Sequence, residues 1–422
     1  METKMMRMSS KILFGQNAVD WQERINVARM REERAERARQ VMRENNIAAL
    51  LATREHNCRY LTGLRGPEWM PQLWYVLFFA EGDPVVFSHA GWHIQMPDQA
   101  PWIKEWRIGR AWLRGGAGPE ATKEEIDLFA EGILRELKHR KLESEKLAIV
   151  GFDNRTKNVL SERGRMEITD GWPLMMEATK IKTKDEVLCL KTVASICEAG
   201  WYSIWENLRP GIRDTDLSLC AINALYKAGA DFVPPTGIYS GPLTSHRGFN
   251  RTGRIIQTGD LVHSSMCNVS FMGYKSCTFR TLIAGRKANT KEKDMYKKLL
   301  ERINSVINCI NPGSTTADAA KKFPTAKSFG YKEEAELLTV EIGHGIGLFA
   351  YGPPIINRQW SIEHPQVFES GMTLAVEGME GNFREGGVRL ENMILVTDDG
   401  AEIMDHMPRD QILEPPVSRC WL

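Results

Sequence analysis

Apolar and polar positions alternate in two regimes along this chain. From about Trp21 to Asn46, Ile25, Ala28, Ala35, Ala38, Val41 and Met42 recur at helical spacing and predict a long amphipathic helix, its stripe interrupted by Glu32. The charge-rich MREERAERARQ forms the wet face of that helix. IAALLATR then reads as a short strand, and EWMPQLWYVLFFAEGDPVVFSH as a hairpin turning at Glu81-Gly82-Asp83-Pro84. A charged helical stretch from Glu124 to Arg140, followed by LAIVGFD, completes an α/β unit. Gly171-Trp172-Pro173 and the polar run ATKIKTKDE bring it to a close.

A second regime begins at Glu186, with a helix that runs to about Leu208 and stops at Pro210-Gly211. Further helices are predicted near Thr215 to Ala228 and from Glu292 to Asn311, and Thr315 is placed to cap another. Between them GDLVHSSMCNVSFMGYKSCTFRT, from Gly259 to Thr281, offers two extended segments joined through Met272-Gly273. Alternation puts His263, Ser265 and Cys267 on one face of it, and Val262, Ser264 and Met266 on the other. Two readings stay open: a small polar pocket floor, or a sheet whose sulfur-bearing side chains fill a core. After Leu337 the chain is mainly strand and glycine-rich loop. The pattern predicts an α+β protein of two domains, residues 1–172 and 173–422.

Composition narrows the partners. A formal charge of +1 over 422 residues gives no bulk attraction for nucleic acid. The eight cysteines lack CxxC spacing, which fits reduced thiols in a cytoplasmic protein. The N-terminus lacks the apolar core of a signal peptide, and no run approaches the roughly 18 apolar residues of a membrane span. Neither nucleic acid nor membrane is expected as a partner.

Candidate chemistry lies where charge interrupts apolar runs. Glu377 sits in TLAVEG and Glu391 in VRLENMILV, and two buried carboxylates side by side need a proton or a cation between them. His344 sits in EIGHGIGLF, where the glycines allow close backbone approach. That stretch lacks the GK[ST] of a phosphate loop.

The ordered motifs SGPLTSH, GDLV with GYKSCTFRT, EIGHGIG, AVEG and GGVRLEN resemble those of the creatinase and methionine aminopeptidase superfamily. The resemblance spans most of residues 175 to 400 and implies a C-terminal pita-bread domain. Residues 20 to 170 resemble the smaller N-terminal domain of creatinase, prolidase and aminopeptidase P relatives. Metal-dependent members hold a dinuclear centre with two aspartates, one histidine and two glutamates. His344, Glu377 and Glu391 match three of those positions, whereas Ser265 and Cys277 stand where the aspartates would be.

Hard dinuclear ions need several anionic oxygens, so the usual two-metal site is expected to be lost. The resemblance then implies metal-independent hydrolysis of a C–N bond in a small polar or cationic compound, as in creatinase, with no cofactor. His246 would move the proton, while Glu377, His344 and Glu391 bind and steady the substrate. Ser265, Cys277, His263, Tyr351, Arg280 and Arg389 are the candidate substrate contacts near them. Arg65 and Trp69 would be supplied across a homodimer. Phe279 replaces the creatinase glutamate before Arg-Thr, which argues against creatine, and Tyr351 replaces the histidine usual in prolidases. Three alternatives remain: a single zinc or iron ion on Cys277, His344, Glu377 and Glu391; a metal-dependent Xaa-Pro-type aminopeptidase or lyase with a rearranged site; and an inactive binding module. Cys267 or Cys277 as nucleophile, with His263 or His246 as base, is a further possibility.

Overall fold

The structure, a computed structural model, describes residues 24–66, 73–245, 252–337, 342–382 and 385–415. It divides into two compact units, Val27–Thr179 and the described residues from Lys180 onward, which also take in residues 24–26. The helix Trp172–Lys180 begins at the expected domain boundary, and the seam lies at its end. The backbone N–H of Asn26 donates to Asp185, tying those first residues to the second unit.

The N-terminal unit is built on a six-stranded sheet: β1 (Ala49–Thr53), β2 (Trp74–Phe79), β3 (Val85–Ser88), β4 (Glu105–Ile108), β5 (Leu147–Val150) and β6 (Ile168–Asp170), in the order β4-β3-β2-β1-β5-β6. Every residue of β1, β2, β3 and β5 is buried, which explains why their sequences, apart from Thr53 and Ser88 at the ends of β1 and β3, are apolar instead of alternating. The hairpin turn predicted after Ala80 is present, with β2 and β3 antiparallel and Gly82 at φ 99°. The helix Val27–Glu44 buries Ala35, Ala38, Val41 and Met42 of the predicted stripe, and Met30 in place of Ala28, which is exposed; the expected turns before residue 24 lie outside the described residues. The helix Pro119–His139 packs Ile126, Phe129, Ile133 and Leu137 into one core with Leu51, Tyr75, Leu77 and Ile149.

The second unit carries an eight-stranded sheet. Its strands are β7 (Ile238–Ser240), β8 (Leu261–Ser265), β11 (Phe279–Ile283), β12 (Gly343–Gly345), β13 (Gly352–Ile356), β14 (Thr373–Asn382), β15 (Gly386–Thr397) and β16 (Gly400–Ile403); the short pair β9 (Ser270–Phe271) and β10 (Tyr274–Lys275) stands apart. The order is β13-β12-β14-β15-β11-β8-β7, with β16 on β15, and every pairing is antiparallel. Met272 and Gly273 make the turn between β9 and β10 with φ of 51° and 79°, the left-handed pair that a two-residue hairpin requires. The helix Lys184–Asn207 starts at a capping box of Thr183 and Glu186, and Thr290–Ile307 at one of Asn289 and Glu292. Among the described residues no helix is long and apolar enough to cross a membrane.

Alternation along β14 and β15 sorts the sheet's two faces. Leu374, Val376, Val388, Leu390 and Ile394 point into an apolar core with Leu299, Ile303 and Val306 of the helix Thr290–Ile307. Ala375, Glu377, Met379, Arg389, Glu391 and Met393 therefore share the opposite face. His344 joins them because β12 pairs it with Ala375. The strand carrying His344 is pressed against its neighbour: a Cβ on Gly345 would lie 2.1 Å from the Pro353 carbonyl oxygen.

Gly345→Ala should destabilise the protein by about 1–3 kcal/mol, since the obstructing atom is backbone. Gly132→Ala, on the helix Pro119–His139 with nothing within 4 Å of the added atom, should stabilise by up to about 1 kcal/mol. Thermal unfolding of both variants checks this; equal melting shifts would contradict it.

Candidate active site

Register assembles the site. Ser265 pairs with Phe279, Phe279 with Glu391, and Glu391 with Glu377, so one row of side chains crosses four strands on one face. The next row holds His263, paired with Thr281, and Arg389, whose backbone N–H donates to the Thr281 hydroxyl. His344 stands diagonally from Glu377 on the adjoining strand. The sequence places these groups together because each lies an even number of positions from its neighbour along its strand.

His344, Glu377 and Glu391 are buried, and their donor atoms lie within 4.8 Å of one another. His344 Nδ1 lies 3.2 Å from the Gly345 carbonyl oxygen. An acceptor at that distance places the neutral ring's proton on Nδ1 and leaves Nε2 as the basic nitrogen. Nε2 faces Glu391 Oε1 at 3.8 Å. Arg389, itself buried, pairs with Glu377 Oε2, and its guanidinium carbon lies 3.6 Å from the Phe279 ring centroid. The residue replacing creatinase's glutamate is thus the platform beneath the arginine that neutralises Glu377.

The sulfurs form a second group. Cys267 and Cys277 are joined by a disulfide, and Cys267 Sγ lies 3.5 Å from Glu391 Oε2. This corrects the expectation that all eight thiols are reduced. Cys267 lies just past the end of β8 on the face that alternation predicts, with His263 and Ser265, and the chain stays paired there through bonds from the Met266 N–H to the Thr278 carbonyl and from the Asn268 N–H to the Ser276 carbonyl.

Other candidates are placed as follows. Tyr351 stands over His344 with ring centroids 4.2 Å apart and is half exposed. His263 is fully buried, with Nε2 3.2 Å from the Thr244 carbonyl oxygen. Burial, then the charge of Arg389, push its pKa down to about 3 against the pull of that carbonyl. Neutral at ordinary pH, it is a poor partner for an activated cysteine. Arg280 is a correction: it lies on the sheet's other face, bonded to Asp405 and to the carbonyls of Met407, Pro408 and Glu391, and those bonds occupy its donors. Arg65 is exposed in the N-terminal unit. His246 and Trp69 lie outside the described residues.

An imidazole nitrogen with two carboxylates is a sufficient donor set for one divalent ion with an open position. The usual pair of ions does not fit the residues as they stand, because Ser265 offers a neutral hydroxyl and Cys277 a sulfur held in a disulfide where the aspartates would be.

The eight-stranded antiparallel sheet, with its acids and histidine on one face, is a pita-bread domain, and the unit before it is of the creatinase N-terminal kind. The pattern of metallopeptidase family M24 matches residues 188–398, half of the chain, and that of the creatinase/prolidase N-terminal domain matches residues 34–155. The chain belongs to metallopeptidase family M24. An Xaa-Pro dipeptidase of Pyrococcus furiosus is 25% identical over 238 residues, which cover 54% of this chain and 64% of that protein. A Bacillus subtilis peptidase, YqhT, is 22% identical over 90% of this chain and 99% of its own length. The solved Xaa-Pro dipeptidase from Bacillus anthracis superposes with a TM-score of 0.72 at 25% identity, over 90% of this chain and 99% of its own.

These relatives overturn the expectation of metal-independent hydrolysis of a non-peptide bond led by His246: they are named as peptidases and the family as metallopeptidases. The error lay in judging the site by its two exchanged aspartates, when the three remaining donors still converge.

Because His263 is neutral when folded and titrates near pH 6.5 when unfolded, the unfolded chain binds the extra proton between about pH 6.5 and 3. Its contribution to stability is complete above that window and lost as pH falls through it, by at most about 1.4 kcal/mol per pH unit. Denaturant unfolding at pH 7 and pH 5 should therefore show a smaller loss for His263→Gln than for the wild type. Equal losses would contradict the assignment.

Proposed function

We propose that this chain is a metal-dependent peptidase of the prolidase type, acting on the bond that precedes proline in a short peptide. The observation that carries the reading is the convergence of His344, Glu377 and Glu391 in the matched M24 region. The Xaa-Pro dipeptidases among its relatives support the choice of substrate. Three costly buried polar groups in one apolar neighbourhood favour an enzyme over a bare binding module.

In this reading His344 Nε2, Glu377 and Glu391 hold the ion. A bound divalent ion supplies Lewis acidity toward the peptide carbonyl and lowers the pKa of a water. Arg389 pairs with Glu377 and fixes it in place, and the Gly345 carbonyl holds His344 in the tautomer that presents Nε2. The exposed ring of Tyr351 offers an apolar surface for the prolyl ring and a phenol to donate to a substrate oxygen. The ion and its three ligands would act within one chain, whereas Arg65 and Trp69 would require the proposed homodimer.

Purified protein supplied with manganese, cobalt or zinc should release proline from Ala-Pro or Leu-Pro. Glu391→Gln and His344→Ala should each lower kcat/KM at least about a hundredfold, since even residues that merely orient metal ligands cost 10–100-fold. No hydrolysis of any Xaa-Pro dipeptide with any of these ions, or full activity in either variant, would contradict the reading.

A further inference from the structure

The two donor groups meet at one residue. Glu391 turns Oε1 toward His344 and Oε2 toward Cys267, so a single buried carboxylate adjoins an imidazole–carboxylate group on one side and a pair of sulfurs on the other. The ligand atoms of Cys267, Cys277 and Glu391 lie within 4.8 Å of one another, as do those of His344, Glu377 and Glu391. Cys277 is 6% exposed, and Cys267 is half-buried.

We propose that Cys267 and Cys277, when reduced, are metal ligands that with Glu391 form a thiolate–carboxylate pocket for a thiophilic divalent ion such as zinc. The proposal rests on the reading of the neighbouring imidazole–carboxylate group as a metal site, and adds to it a ligand chemistry that M24-type oxygen donors lack.

Two thiolates and a carboxylate place three anionic donors around a dication, and soft sulfur selects zinc over manganese. Ser265 supplies no anion, so the sulfurs bring the charge that this side of the site requires. Their separate placement is informative. One cysteine lies just past the end of β8 and the other just before β11, each two positions from a residue of the Ser265–Phe279–Glu391 row, so alternation turns both sulfurs toward Glu391.

The disulfide makes the pocket conditional. Opening it takes two electrons and two protons from a dithiol reductant, which is left as its own disulfide; loading a divalent ion then releases the two thiol protons to solvent. A small-molecule disulfide reverses the first step and withdraws both ligands. The oxidised chain keeps only the imidazole–carboxylate group.

The test uses the full-length chain, stripped of metal, reduced with a phosphine in the absence of oxygen and titrated with cobalt(II). The reduced wild type should develop the intense near-ultraviolet band of sulfur-to-cobalt charge transfer, which zinc abolishes by displacement. Zinc should also shield Cys267 and Cys277 from alkylation, as located by peptide mass spectrometry. The oxidised protein should lack the band, Cys267→Ser and Cys277→Ser should each weaken it because one thiolate remains, and Cys277→Asp should lower the zinc-to-manganese affinity ratio at least about tenfold. Because Cys277→Asp restores an oxygen ligand, its metal binding shows that weakening of the band is not loss of fold. Cobalt bound by the reduced wild type without a charge-transfer band, or a band unchanged in both serine variants, overturns the proposal. Dipeptide hydrolysis without the band would leave the peptidase reading standing and this one refuted. The band with no dipeptide hydrolysis would do the reverse.

Discussion

Two carboxylates set opposite each other across β14 and β15, away from water, are the constraint that the second unit is arranged to satisfy. At separations under 5 Å and an effective dielectric of about 20, their mutual repulsion is on the order of 3 kcal/mol, before the cost of taking either out of water. Arg389 answers for Glu377 and is itself held against Phe279. Glu391 sits between an imidazole and two sulfurs, and a positive ion is the partner that this surrounding suits. Truncating either acid's partner would leave an uncompensated charge in the interior, which is why the neighbouring positions carry residues of such specific kinds.

The fold supplies the precision. Antiparallel pairing fixes which residues stand side by side, and a slip of one position in β15 would send Arg389 and Glu391 to the face packed on the helix Thr290–Ile307. The apolar residues that alternate with them lock that register. Stability and site geometry thus come from the same strand residues, read on opposite faces. The closeness of β12 to β13 at Gly345 holds the His344 backbone, and the carbonyl of that same glycine sets the ring's tautomer.

Much of this was legible before the fold was known. Glu377, Glu391 and His344 stand out in sequence because each breaks an apolar or glycine-rich run, and the β2–β3 hairpin and the long helices follow from period and turn chemistry. What could not be read depended on register. That Arg389 pairs with Glu377 follows from their diagonal placement on neighbouring strands. That Arg280 serves Asp405 follows from its lying one residue out of phase with Phe279. Cys267 was assigned by alternation to the face of His263 and Ser265, and its sulfur lies there, beside Glu391. What stayed hidden was that the two sulfurs are joined to each other, because their pairing depends on the register of β8 against β11.

The central claim is that the buried acid pair is built to hold a divalent cation, and the unfolding free energy of metal-stripped protein with and without added ion tests it most directly. Saturation at about a hundred times the dissociation constant should stabilise the fold by about 2.7 kcal/mol, and the gain should vanish when Glu377 and Glu391 are both changed to glutamine. An unfolding curve that divalent ions leave unmoved in the wild type, or move equally in the doubly substituted protein, would contradict the account.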